Sequence, residues 1–207
     1  MTVSRRHFVR AGLAAMALGL VAGCTRPSPV KGTYVLEPAM PPPGPRTHPG
    51  LVRVGNFTVS APYRGRSFVY RETDLKFETD YYHEFLVAPG ANLSEATARA
   101  LTAAKVFAGV APSGVPVDHD WTLDGFVDAL YADGRVKDKP VAVLRITFFL
   151  RSRAGDAGVP VWTRSYERQV PFSTGSAGAY VTALNSALSE ILAELAKDLA
   201  GAALPKP

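Results

Sequence analysis

Pro140-Val141-Ala142-Val143-Leu144-Arg145-Ile146-Thr147-Phe148-Phe149-Leu150-Arg151 is the stretch on which the fold turns. Successive side chains of an extended chain point to opposite faces, so Ala142, Leu144, Ile146, Phe148 and Leu150 share one side. That side is wholly apolar. The other mixes Val141, Val143 and Phe149 with Arg145, Thr147 and Arg151. The pattern predicts a long strand with one face covered by other elements and the other at least partly wet. The cover is found near the C-terminus. From Ala177 to Leu199, the residues Tyr180, Val181, Leu184, Leu188, Ile191, Leu192, Leu195 and Leu199 recur at helical spacing and form one continuous stripe. Ser173, Thr174 and Ser176 precede it as possible caps, and Gly201 follows as a stop. A stripe of that length needs a partner, and the apolar face of Ala142 to Leu150 is the expected one.

Working outward, Trp121 to Tyr131 fits a helix and a strand equally well by periodicity. Asp133-Gly134 marks a turn before the strong strand, so a hairpin is the simpler account. Gly155 to Gly158 turns the chain into Val159 to Val170, where Trp162, Tyr166 and Val170 share a face with Arg164 and Arg168 between them. Upstream, Ser67 to Glu72 and Leu75 to Thr79 read as a hairpin around Thr73-Asp74, Leu51 to Val59 as a strand, and Gly32 to Leu36 as a brief strand. Pro38 to Pro49, with Pro41-Pro42-Pro43, reads as a polyproline II surface loop outside the sheet. The alternative is a recognition segment for an aromatic groove. Asn92 to Val106 is a second helix candidate, with Asn92 as cap and Glu95 as its reciprocal partner. Its stripe of Leu93, Thr97, Ala100, Leu101 and Ala104 is narrow enough for close packing, and Gly109 to Pro116 breaks it. The class that follows is α+β: a mostly antiparallel sheet covered on one face by two helices.

The N-terminal segment has a different character. Ser4-Arg5-Arg6-His7-Phe8 leads into an apolar block from Ala11 to Val21, then Ala22-Gly23-Cys24. This resembles a bacterial lipoprotein signal over residues 1–23, with a twin-arginine-like start. The apolar run is shorter than the roughly 20 residues needed to span a bilayer, which disfavours the alternative of an uncleaved anchor. Cys24 is the only cysteine, so it reads as an acylation site and not as half of a disulfide. Residues 24–31 form a tether and residues 32–204 the folded domain. The formal charge of +5 overstates the basicity of that domain. Arg5, Arg6 and Arg10 lie in the signal, which holds no acid, and the remaining 184 residues carry 20 basic against 18 acidic side chains. That balance is not the footprint of a nucleic-acid binder.

Catalytic patterns are missing. No serine sits in a Gly-x-Ser-x-Gly elbow, and no phosphate-binding glycine loop precedes a helix. Asp118-His119-Asp120 would not converge on a metal, since neighbours on a strand face opposite ways. The expectation is therefore a non-enzyme without cofactor or metal. The densest aromatic cluster is Asp80-Tyr81-Tyr82-His83-Glu84-Phe85-Leu86. Tyr81, Tyr82, His83 and Phe85 are candidate partner contacts, with Trp162 and Tyr166 as second choices.

The order of elements carries a likeness. An early Tyr34-Val35-Leu36 strand is followed by a hairpin with Phe68-Val69-Tyr70-Arg71, then Tyr82-His83-Glu84-Phe85, a helix, and strands over Leu123 to Asp133 and Val141 to Leu150. Val170-Pro171-Phe172 and a helix around Ala183-Leu184-Asn185-Ser186-Ala187-Leu188 complete it. This order resembles the ABC-type transport auxiliary lipoproteins, the group that includes the paraquat-inducible lipoprotein component, over Gly32 to Ala200. The resemblance implies a sheet covered by helices, a periplasmic domain and a lipid tail in a membrane. It further implies partnership with an ABC transporter system built around mammalian-cell-entry-type periplasmic proteins, which moves phospholipid or other hydrophobic molecules between membranes. Thr25 is not the Asp that favours inner-membrane retention in enteric bacteria, so the outer membrane is the expected address. The expected partners are the membrane through acylated Cys24, a mammalian-cell-entry-type protein or transporter component, and lipid. The rival reading is an envelope assembly or scaffold lipoprotein unrelated to transport.

Overall fold

The computed structural model describes residues 30–155 and 158–206; the signal, Cys24 and most of the tether lie outside the described residues. The sheet is organised by β7 (Trp121–Asp133). Along one edge β7 pairs antiparallel with β8 (Val141–Ser152), from Trp121 opposite Ser152 to Asp133 opposite Val141. β8 pairs in the same sense with β9 (Trp162–Pro171). Along its other edge three short strands lie end to end and parallel to it. β2 (His48–Val54) meets it at Trp121, β3 (Thr58–Val59) at Phe126, and β4 (Ser67–Arg71) at Ala132. β6 (Phe107–Ala111) flanks β2 in parallel. β5 (Phe77–Phe85) flanks β4 antiparallel, and β1 (Gly32–Tyr34) runs parallel to the end of β5. The longest pairings are antiparallel, as the hairpin readings require, and the short ones make the sheet mixed.

Two helices, α1 (Pro89–Ala104) and α2 (Ala177–Ala200), cover one face. Ala142, Leu144, Ile146, Phe148 and Leu150 are fully buried beneath them, as are Leu184, Leu188, Ile191, Leu192, Leu195 and Leu199. Burying a side chain of this size is worth roughly 1.5–3 kcal/mol, so this interface dominates the core. The Ser176 hydroxyl caps α2 by accepting from the Ala179 amide at 3.2 Å. Further along, Arg164 pairs with Asp198 at 2.9 Å, and Arg168 with Glu190 at 2.9 Å and with Glu194. These contacts fix the helix on the edge strand β9. The uncovered face carries Arg145 between Asp128 and Glu167, and Arg151 on Asp124.

Four sequence expectations change. Asn92 is not a cap: α1 starts at Pro89 after Ala88, because proline at the first turn needs no amide partner. Asn92 instead lies buried inside the helix, and Glu95 pairs with Arg99. Gly109 to Pro116 is not merely a break. Lys105, in the left-handed conformation, ends α1, and Phe107 to Ala111 form β6. Leu51 to Val59 is two strands, divided where the Gly55 amide donates to the Leu123 carbonyl at 2.8 Å. The proline segment is not a free loop. Leu36, Pro38 and Pro41 are buried, and β2 already begins at His48, so Pro49 sits inside a strand. The Glu37 amide donates to Asn185 Oδ1 and the Ala39 amide to Ser189 Oγ, both at 2.8 Å, which straps the segment along α2. Among the described residues, no helix is long and apolar enough to cross a membrane.

Candidate docking surface

The aromatic cluster sits on β5, where the hairpin register breaks. Arg71 faces Phe77, Tyr70 faces Glu78 and Val69 faces Thr79, but Ser67 faces Glu84. Between those last two pairs β5 advances five residues while β4 advances two, so β5 bulges outward. Asp80 staples the bulge. Its Oδ1 accepts from the amides of Tyr82 at 2.7 Å and His83 at 3.0 Å. Its Oδ2 accepts from the Tyr70 hydroxyl at 2.9 Å and lies 2.9 Å from His83 Nδ1. Partial burial alone would raise the Asp80 carboxyl. The hydrogen bonds from His83, the Tyr82 amide and Tyr70 outweigh it and hold the group below the usual carboxylate value. Burial and the bond to Asp80 push the Tyr70 phenol well up.

The bulge decides which aromatics face solvent. Tyr81 is 73% and Tyr82 42% exposed, their rings meeting edge to face at 5.1 Å. The Lys31 ammonium stands 4.8 Å over the Tyr81 ring, a cation–π contact between the incoming chain and the cluster. His83 is half-buried, 6.0 Å from Tyr34 and 6.4 Å from Phe68 by ring centroids. Tyr81 and Tyr82 thus come together on an accessible surface, while the His83 ring lies against Asp80, Tyr34 and Phe68. Phe85, at 3% exposure, packs on Phe68 in the core, and Tyr166, also at 3%, spends its hydroxyl on Asp198 at 2.7 Å. Neither can serve as a contact. Trp162 is half-buried on the far side of the sheet, across β8, β7 and β4 from the cluster.

β1 covers only His83 to Phe85, so from Phe77 to Tyr82 the outer edge of β5 has no strand partner among the described residues. An open edge beside exposed aromatics can add a strand from another chain through main-chain hydrogen bonds. Of the two carboxylates in the cluster, Asp80 is engaged with the His83 imidazole and two backbone amides, and Glu84 pairs with Arg66 at 2.9 Å. Among the described residues no group of His, Cys, Asp and Glu gathers as metal ligands. Sequence reasoning missed Asp80 as the organiser. Asp followed by two backbone amides it can reach is an Asx-turn pattern and could have been found.

The class defined by this fold is an α+β domain with two helices on one face of a mixed sheet and an open, aromatic-flanked strand edge. Solved structures share the α+β fold of that domain. Protein XCC0632 from Xanthomonas campestris, of the DUF330 family, superimposes with a TM-score of 0.70 at 17% identity, covering 82% of this chain and 96% of that one. A second, uncharacterized protein gives 0.62 at 15% identity over 83% and 97% of the two chains. The hypothetical protein CT253 from Chlamydia trachomatis gives 0.50 at 10% identity over 74% and 99%. These likenesses establish the fold. No protein-family model matches the sequence, and no curated protein matches it.

Proposed function

We propose that this chain is a lipid-anchored periplasmic lipoprotein, an auxiliary component of an ABC-type intermembrane lipid transport system of the mammalian-cell-entry kind. It acts by tethering and docking and not by catalysis. Acylated Cys24 holds the domain to the outer membrane, each buried methylene contributing about 0.8 kcal/mol. Tyr81, Tyr82 and the open edge of β5 engage a periplasmic mammalian-cell-entry-type protein or a transporter component. The observation that carries the reading is the coincidence of tether and surface: the chain coming from Cys24 enters the fold at β1, directly beside Tyr81.

The test is photo-crosslinking in cells through a benzophenone side chain at position 82. A crosslink to a mammalian-cell-entry-type protein or transporter subunit is expected, and Cys24→Ser should remove it. Crosslinks to neither, from protein shown to be lipidated, would refute the transport assignment.

A further inference from the structure

We propose that the proline segment laid along α2 is a second recognition surface, a polyproline ridge that fits a partner protein's groove of aromatic side chains with carboxylates at its rim. It uses none of the residues of the β5 edge and does not depend on the transport reading.

The sequence sets the conformation. Glu37, Met40, Pro41, Pro42 and Gly44 each precede a proline, which disfavours the helical region and leaves the extended and polyproline II ones. Proline holds its own φ at about −65°, and the described peptide bonds are all trans. Polyproline II repeats every three residues. The structure shows that period. Pro38 and Pro41 are buried, and three residues further on a Cβ at Gly44 would stand 3.4 Å from the Ala104 carbonyl oxygen. One edge of the three-sided rod therefore faces the helices. The other two edges, Ala39-Pro42-Pro45 and Met40-Pro43-Arg46, are exposed along their length, roughly 20 Å.

The ridge is held in place before any partner arrives. Asn185 and Ser189 bind the Glu37 and Ala39 amides, and the Gly44 amide donates to the Ala104 carbonyl at 2.9 Å. A segment already ordered loses little conformational freedom on binding. Beside Pro42 and Pro45 runs an apolar cleft of about 270 Å³, with Ala193, Ala196 and Ala200 of α2 on its other side. An apolar cavity of about 150 Å³ suffices for benzene, so the cleft has room for one aromatic ring between proline and alanine. Its rim is basic. Lys197 lines the cleft, Arg46 follows Pro45 on the ridge, and Lys105 follows Ala104. None of these three enters an ion pair among the described residues. The acids of this part of α2 are already engaged, Asp198 by Arg164 and Glu190 and Glu194 by Arg168. The segment's own acid, Glu37, lies at its opposite end. Two prolines at the spacing of Pro42 and Pro45 are what aromatic-lined grooves recognise, and the unpaired cations beside them complement carboxylates on the partner.

The test is photo-crosslinking of the full-length protein in cells, with a benzophenone side chain at the exposed position 43 and the adduct mapped by mass spectrometry. One principal adduct is expected, on a peptide of another protein that carries Trp or Tyr together with Asp or Glu. Its yield should fall at least tenfold in Arg46→Glu. Lys137→Glu, the same change of charge on the exposed β7–β8 turn, should leave the yield unchanged. Thermal melts of the purified variants should match the parent, since both side chains face solvent. Adducts to lipid alone, no adduct to a protein, an adduct on a peptide without aromatic side chains, or a yield indifferent to Arg46→Glu would each overturn the inference. None of these outcomes bears on the crosslink expected at position 82, so the two readings fail separately.

Discussion

Asn92→Ala tests how the tether-bearing segment is held to the domain. Asn92 is buried in α1 and clasps the backbone of Leu36: its Oδ1 accepts from the Leu36 amide at 2.9 Å, and its Nδ2 donates to the Leu36 carbonyl at 3.2 Å. Leu36 is fully buried. If the segment stays in place in the variant, two buried backbone groups lose their partners, at about 1–3 kcal/mol each. If it lifts away to reach water, the burial of Leu36 is lost, roughly 1.5–3 kcal/mol. Both routes lead to a loss of about 3 kcal/mol, or roughly 6–12 °C in Tm for a chain of this size. Asn185→Ala, which frees only the exposed Glu37 amide, should cost about 0.5–1.5 kcal/mol. Denaturant unfolding gives the totals, and hydrogen exchange at Leu36, Glu37 and Ala39 shows whether the strap opens locally. A loss under about 1 kcal/mol for Asn92→Ala, with protection at Leu36 unchanged, would show that this clasp does not hold the strap.

Three further outcomes follow from the same geometry. Gly90→Ala would place a Cβ 2.6 Å from the Phe57 carbonyl oxygen, a backbone atom that cannot swing aside, so thermal melts should show a loss of about 1–3 kcal/mol. The Asp80 carboxyl titrates lower in the native protein than its ordinary value of 3.8. Its contribution is thus complete above that value and is lost as pH falls through the lower native one. NMR of Tyr81 and Tyr82 in acid should show the bulge loosening there, with the dependence removed in Asp80→Asn. Tyr81→Ala with Tyr82→Ala should leave stability within about 0.5 kcal/mol, since both rings face solvent, and should abolish the crosslinks expected from this edge. A large drop in Tm would mean that the pair belongs to the core.

Some features were legible from the amino-acid order alone. The buried face of β8, the stripe of α2, the hairpin of β7 with β8 and the singular position of Cys24 are all local patterns, because alternation and helical spacing report which side of an element must leave water. Tertiary structure decided the rest. Nothing in the spacing of residues says that β2, β3 and β4 lie end to end along one edge of β7, since parallel neighbours are joined by long connections and share no turn signal. The same limit separated Tyr81 from Phe85. Both are aromatics in one strand, and only the three extra residues stapled by Asp80 turn the first outward while the second enters the core. Asn92 looked like a cap because its type and place suited one, and it became a buried clasp because a segment more than fifty residues away needed its backbone paired.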